Sequence, residues 1–146
     1  MIFLRFALGL MMVTMLHASD FIIKKSDLSV DATIAKIQKI VEAKKGLGVF
    51  TIIDHKKGAD KVGLALPKTK VILFGNPKMG TKLMQKDPRV ALDLPMRVLV
   101  YREGNETKIV YHDPKAWSKA FHLKDCKLIE KMTNALDKIT DKAGKK

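Results

Sequence analysis

Apolar residues along this chain switch between two periods. Val30, Ile34, Ile37 and Val41 recur at helical spacing, with Ser29 placed to cap the first turn and Asp31 inside it. Gly46 ends that pattern and Gly48 begins the exit. Leu128, Ile129, Met132, Leu136 and Ile139 repeat the helical spacing and predict a second long helix over about 125–141. The shorter apolar runs at 21–24, 49–55 and 71–74 read as strands. In the second of these, strict alternation sends Phe50 and Ile52 one way and Val49, Thr51 and Ile53 the other. Residues 97–103 and 107–113 flank Gly104-Asn105, a two-residue turn that sets Val100 opposite Ile109. A short helix is predicted over 56–66, anchored by Val62 and Leu66 and ended by Pro67. Asp113-Pro114 opens another, which contains Trp117 and Phe121.

This order predicts an α+β fold in two layers: one curved antiparallel sheet with two longer helices on one face and short helical insertions. Two helices cover only one sheet face. Phe50, Ile52, Leu99, Tyr101 and Val110 make the second face apolar as well. An exposed apolar sheet marks an interface, so the expected assembly is a homodimer closed over that face. The chain divides into residues 1–19 as a signal peptide, 20–142 as a single α+β domain and 143–146 as a disordered basic tail.

The segment 71–93 organises the rest. An apolar strand runs into Gly75-Asn76-Pro77, where Gly75 suits a sharp turn, Asn76 an N-cap and Pro77 the first helical position. Asp87-Pro88 repeats the device, and Leu94-Pro95 closes the unit. Gly80 sits inside the short helix, where it weakens the helix relative to alanine. It implies close approach of another element or of a ligand. Phe74 to Lys78, Gly80-Thr81, Leu83-Met84-Gln85 and Leu92 to Pro95, followed by Val98-Leu99-Val100 and Tyr111…Asp113-Pro114, resemble the signature of the domain-of-unknown-function 302 family. The resemblance implies a fold similar to the TATA-binding-protein-like β-α-β4-α arrangement, and it implies dimers. It carries no established activity, and fold likeness imports no DNA function.

Charge and the amino-terminal stretch bear on location. The net charge is +13, almost all of it from lysine, with arginine only at Arg5, Arg89, Arg97 and Arg102. The lysines are spread over every segment and arginine is scarce, which argues against nucleic acid. Residues 1–19 combine Arg5, an apolar run over 7–16 and small residues at Ala18 and Ser19. This reads as an export signal, too short for a comfortable membrane span, and places the domain in the periplasm or outside the cell with no stable span after cleavage. Cys126 is the only cysteine, so stability rests on packing rather than on an internal disulfide.

Three chemistries are open for a site. A small-ligand pocket would gather Gly75, Asn76, Lys78, Gly80, Thr81, His55, Tyr111 and Asp113, because a helix N-terminus beside a lysine suits an anion. A metal site would use His55 and His112, with Met79 or Met84 adding a soft sulfur of the kind that suits copper or haem iron. No zinc-finger spacing, haem attachment motif or nucleophile elbow accompanies them. The preferred expectation is an exported, non-enzymatic, dimeric binding or accessory module whose ligand is a small anion, a metal or a haem group. The alternatives are an enzyme using the His55 and Asp113 region, or a protein that only binds a partner through its open sheet face.

Overall fold

A computed structural model describes residues 20–146 of the chain; the proposed export signal at 1–19 lies outside the described residues. Strand β1 (Phe21–Ser26) leads into helix α1 (Val30–Glu42), then β2 (Gly48–Asp54), α2 (His55–Lys61), β3 (Thr69–Gly75) and α3 (Pro77–Met84). A 3-10 turn (Pro88–Leu92) precedes β4 (Met96–Glu103) and β5 (Glu106–His112). A second 3-10 turn (Pro114–Ala116), α4 (Trp117–Ala120) and the long α5 (Lys127–Gly144) complete the chain. The five strands form one antiparallel sheet in the order β1-β5-β4-β3-β2. Helix α1 therefore crosses from one sheet edge to the other, β2 to β5 meander back, and α5 packs beside α1. This is the two-layer α+β architecture the periodicity predicts, and the hairpin sets Val100 opposite Ile109 as expected.

The core follows from the strand period. Ile72 and Phe74, Val98 and Val100, and Ile109 and Tyr111 are buried facing the helices, which contribute Ile34, Ile37, Val41, Leu136 and Ile139. At about 25 cal/mol per Å² of apolar surface, this burial is the main stabilising term.

Four expectations change. A β-bulge falls between Val49 and Thr51, so Val49 opposes Phe74, Ile52 opposes Ile72, and Phe50 is the inserted residue. Alternation cannot be carried across a bulge. Ile52 thus joins the helix side, and Ile53, not Ile52, continues the open face. Helix α2 stops at Lys61, because Gly63 takes a left-handed conformation (φ +72°), and Val62 is 69% exposed rather than an anchor. Helix α5 runs on to Gly144, with Ala143 and Gly144 buried, so residues 143 and 144 belong to the fold and not to a disordered tail. The cause is a close approach: a Cβ on Gly144 would lie 3.1 Å from the Lys25 carbonyl oxygen, and the Gly144 carbonyl accepts a 2.7 Å bond from the Asp27 N–H. Finally, Gly75 keeps an ordinary φ, so the corner after β3 does not depend on left-handed backbone there.

Polar clasps fix the layers. Lys24 on β1 reaches Asp137 and Asp141 on α5, each at 2.6 Å. Burial pulls its ammonium pKa down, but the two carboxylates more than offset that and leave it raised. Asp31 in the first turn of α1 pairs with Lys68 and Lys70, which hold its carboxyl down at about 2. Asp87, only 3% exposed, accepts from the Arg89 guanidinium (2.6 Å to Nη2) and from the backbone N–H groups of Arg89 and His122 at 3.0 Å. It so ties the 88–92 turn to the loop before α5.

These bonds favour the Asp87 carboxylate and hold it well below the usual carboxylate range, the Arg89 side chain contributing most. A folded-state pKa that is depressed supplies stability above the unfolded value of about 3.9 and loses it as pH falls below that. Asp87→Asn is therefore expected to melt at a lower temperature than the wild type at pH 7, with the gap narrowing towards pH 3. Thermal unfolding followed by circular dichroism across that range checks it; a constant gap would refute the assignment.

Candidate functional site

Helices α1 and α5 run antiparallel. Their facing ends near Ser26 are pinned together, and their other ends flank the corner where β3 gives way to α3. Asn76 caps α3, its Oδ1 accepting a 3.0 Å bond from the Met79 N–H, with Pro77 in the first turn. The amide nitrogen of Asn76 lies against Gly46, 2.9 Å from where a Cβ would stand, and Gly46 has φ +83°. One side chain thus starts α3 and seats the α1–β2 turn beneath it. A cis peptide joins Leu94 to Pro95 on the adjoining wall.

Between these elements lies a cleft with a volume of about 630 Å³. This is within the roughly 300–1,000 Å³ usual for small-molecule sites. Its walls are mainly apolar: Leu47, Phe74, Leu94, Leu136 and Ile139 contribute, and Phe50 and Met84 remain exposed at its open side. Met79, Met84, Met96 and Met132 all line it, and these are all the methionines among the described residues. Small residues keep the space clear. Gly80 takes an ordinary backbone angle, and a Cβ there would meet only Leu94 at an unstrained 3.6 Å. Lys44 and Lys45 just beyond α1, together with Lys131 on α5, supply the charge; no Asp or Glu lines the cleft.

The predicted site residues separate into two groups. Gly75, Asn76, Gly80 and Thr81 line the cleft together. The others do not join them. Lys78 is exposed on α3 away from the lining. Tyr111 is buried beneath α5, near Thr140 and with the Lys24 ammonium 5.9 Å from its ring; burial raises its phenol pKa. Asp113 caps the following turn through the Lys115 N–H at 3.0 Å. His55 begins α2, next to Asp54, whose strand partner is Lys70, whereas the cleft lies at the Gly48–Gly75 end. Six residues of strand, about 20 Å, separate the two ends. His112 lies at the cleft end but on the open face, stacked on Phe21 with ring centroids 4.5 Å apart. The structure therefore corrects two pairings: His55 and His112 form no shared metal site, and His55 and Asp113 form no acid–base pair. Among the described residues no group of three or more His, Cys, Asp or Glu side chains is placed to hold a metal.

Lys44, Lys45 and Lys131 were missed because nothing local joins residue 45 to residue 131; only the antiparallel packing of α1 on α5 does. The methionines were a usable signal: beyond residue 19 they occur only at these four positions.

An antiparallel five-stranded sheet backed by two helices, with a corner cleft under a proline-started helix, defines the class of domain. The chain belongs to the family described as "Domain of unknown function DUF302", whose model matches residues 22–139. A solved DUF302 protein from Bacillus stearothermophilus superposes with a TM-score of 0.74 at 19% identity, covering 86% of this chain and 99% of that one. Two curated relatives, both named Fluoride-specific ion channel FluC 1, are 39% identical over 105 residues. The protein from Brucella suis biovar 1 (strain 1330) is matched over 71% of this chain and 41% of its own length, and that from Brucella abortus biovar 1 (strain 9-941) over 71% and 38%. The chain thus spans about two-fifths of the length of these relatives. Among the described residues no helix is long and apolar enough to cross a membrane.

The two glycines at the site make opposite predictions. Gly80→Ala is expected to stabilise the protein by about 0.5–1 kcal/mol, because only helix propensity changes. Gly46→Ala is expected to destabilise it by about 1–2 kcal/mol, because a side chain is forced into left-handed backbone against Asn76. Urea unfolding of the two variants checks both signs.

Proposed function

We propose that this domain is a non-enzymatic module that binds a small, mainly apolar ligand in the cleft between α3 and the ends of α1 and α5. The observation that carries this reading is the methionine-lined cavity of about 630 Å³. Thioether side chains are flexible and polarizable and adapt to varied apolar shapes. A bare small anion suits the cleft less well, since its walls offer few donors to replace a hydration shell. For the same reason the fluoride named for the Brucella relatives is not carried over to this cleft. With residues 1–19 read as an export signal, the module acts in the periplasm or outside the cell.

The test is titration with the uncharged apolar fluorophore N-phenyl-1-naphthylamine. Saturable one-to-one binding is expected, lost in Gly80→Leu and in Ala135→Trp, which fill the cleft from opposite walls. Binding that survives both variants in folded protein would overturn the reading.

The open sheet face favours a second property. Ile23, Val110, Leu99, Val71 and Ile53 stand in one row across all five strands, in register. Ile23 is 60% and Ile53 42% exposed. Five strands at about 4.8 Å by six residues at about 3.3 Å give a face of roughly 480 Å². Two such faces meet the roughly 1,000 Å² that a specific interface needs, provided the whole face is engaged. A second copy of the chain, bringing the same row, is the occupant proposed. Analytical ultracentrifugation should show a dimer for the wild type and a folded monomer for Leu99→Asp; a monomeric wild type would refute it.

A further inference from the structure

Resting on the reading of the cleft as an apolar ligand site, we infer that its ligand is an amphipathic anion: a single alkyl chain ending in one negatively charged head, of the fatty-acid class. The chain would lie along Met79, Met96 and Met132, and the head would meet Lys44, Lys45 and Lys131.

Three observations converge on this. Among the described residues, Lys44, Lys45 and Lys131 form no side-chain ion pair or hydrogen bond; other exposed lysines such as Lys78, Lys82 and Lys127 share that state, so it is the placement of these three around one cleft that counts. The unpaired cations come from two elements far apart in sequence and meet at one cleft. No Asp or Glu among the lining residues answers them. The carboxyl end of a helix favours lysine on its own account, which would explain Lys44 and Lys45 just beyond α1. It does not explain Lys131, which lies near the start of α5, where the helix field gives a cation no help. An apolar floor with an unanswered positive rim is complementary to a molecule that is apolar along its length and negative at one end.

Size agrees. At roughly 30 Å³ per water-sized group, the cavity holds about twenty heavy atoms, which suits a chain of about twelve to sixteen carbons with its head. Flexible methionine walls accommodate neighbouring chain lengths without a fixed end stop. Affinity should then rise with length, by up to about fourfold per added methylene until the floor is filled.

The experiment displaces the fluorophore from the full chain with probes of one chain length: dodecanoate, dodecanol, dodecyltrimethylammonium and a twelve-carbon lysophosphatidylglycerol, with sodium fluoride as a chainless anion. Dodecanoate is expected to bind about tenfold more tightly than dodecanol, with an advantage that shrinks in salt, as exposed lysine contacts should give. The triple variant Lys44→Gln, Lys45→Gln, Lys131→Gln should bring dodecanoate down to the level of dodecanol and leave dodecanol unchanged. Lysophosphatidylglycerol binding as tightly as dodecanoate supports the same amphipathic anion and assigns its source to a phospholipid head; weaker binding supports it and assigns the source to a free carboxylate. Equal binding of dodecanoate and dodecanol, a preference for the cationic probe, or displacement by fluoride would overturn the inference while the cleft stood as an apolar site. Failure of every twelve-carbon probe to bind saturably would instead overturn the reading of the cleft itself.

Discussion

The node of Ser26, Thr33 and Gly144 is where the two layers are fastened. Thr33 Oγ1 donates to the Ser29 carbonyl at 2.8 Å, so it accepts from Ser26 Oγ at 2.7 Å. Ser26 Oγ in turn accepts from the Leu28 N–H at 3.2 Å, and the Gly144 carbonyl takes the Asp27 N–H. Buried hydroxyls are tolerable only when partnered; here their partners come from β1 and the start of α1, and the neighbouring Asp27 N–H brings in α5. The start of α1 and the end of α5 are thereby held against the same strand. No such polar link joins the other ends of the two helices among the described residues. A helix pair fastened at one end by hydrogen bonds and elsewhere by side-chain volume closes as far as those volumes dictate. Where Gly80 and Ala135 supply little volume, it does not close, and the cleft is what remains.

What was legible in the sequence is what short-range chemistry decides. Val30, Ile34, Ile37 and Val41 are all buried on α1 at the spacing that announced them, and Ser29 and Asn76 cap the helices they precede. Gly104-Asn105 turns the hairpin into the register its length requires. The misread positions share a different cause. The bulge at Phe50 is one residue of excess against β3, which no pattern within β2 reveals. The extension of α5 to Gly144 depends on β1, more than a hundred residues away. Tyr111 and Asp113 belong to conspicuous sequence motifs, but they serve packing and capping. The candidate site was half legible for the same reason: the Gly75–Thr81 wall is one continuous segment, while the lysine rim exists only once α1 and α5 are packed.

Lysine has a structural use in this domain at only a few positions. On the body of the fold it acts as a strap. Lys24 spans from sheet to helix, Lys68 and Lys70 hold the first turn of α1, and Lys70 also reaches Asp54 at 3.3 Å. Each long stem carries its ammonium to a carboxylate on another element. At the cleft the carboxylates are missing. Exposed ion pairs contribute little individually, so leaving three lysines unpaired costs the fold almost nothing. It does leave a positive field beside an apolar cavity, the field that the proposed ligand would neutralise.

Similarity to the Bacillus stearothermophilus protein at 19% identity shows how little of this sequence the architecture demands. A meander flanked by one crossing helix and one returning helix needs apolar alternation, a few caps and a close contact at the fastened end. Four methionines around one cavity, and an internal glycine in α3 that weakens its own helix, are not accounted for by alternation, caps or that contact. Residues that the fold does not require, that are unfavourable or neutral locally, and that face one space together are where a physical account of stability stops. Gly80 is the sharpest case: its backbone angle suits any residue, the position has room for a methyl group, and a helix would favour one there. The feature those atoms would take up is the space itself. A cavity kept open against local preference supports the proposed ligand site over a packing defect, and the chemistry of its walls is what such a ligand would have to match.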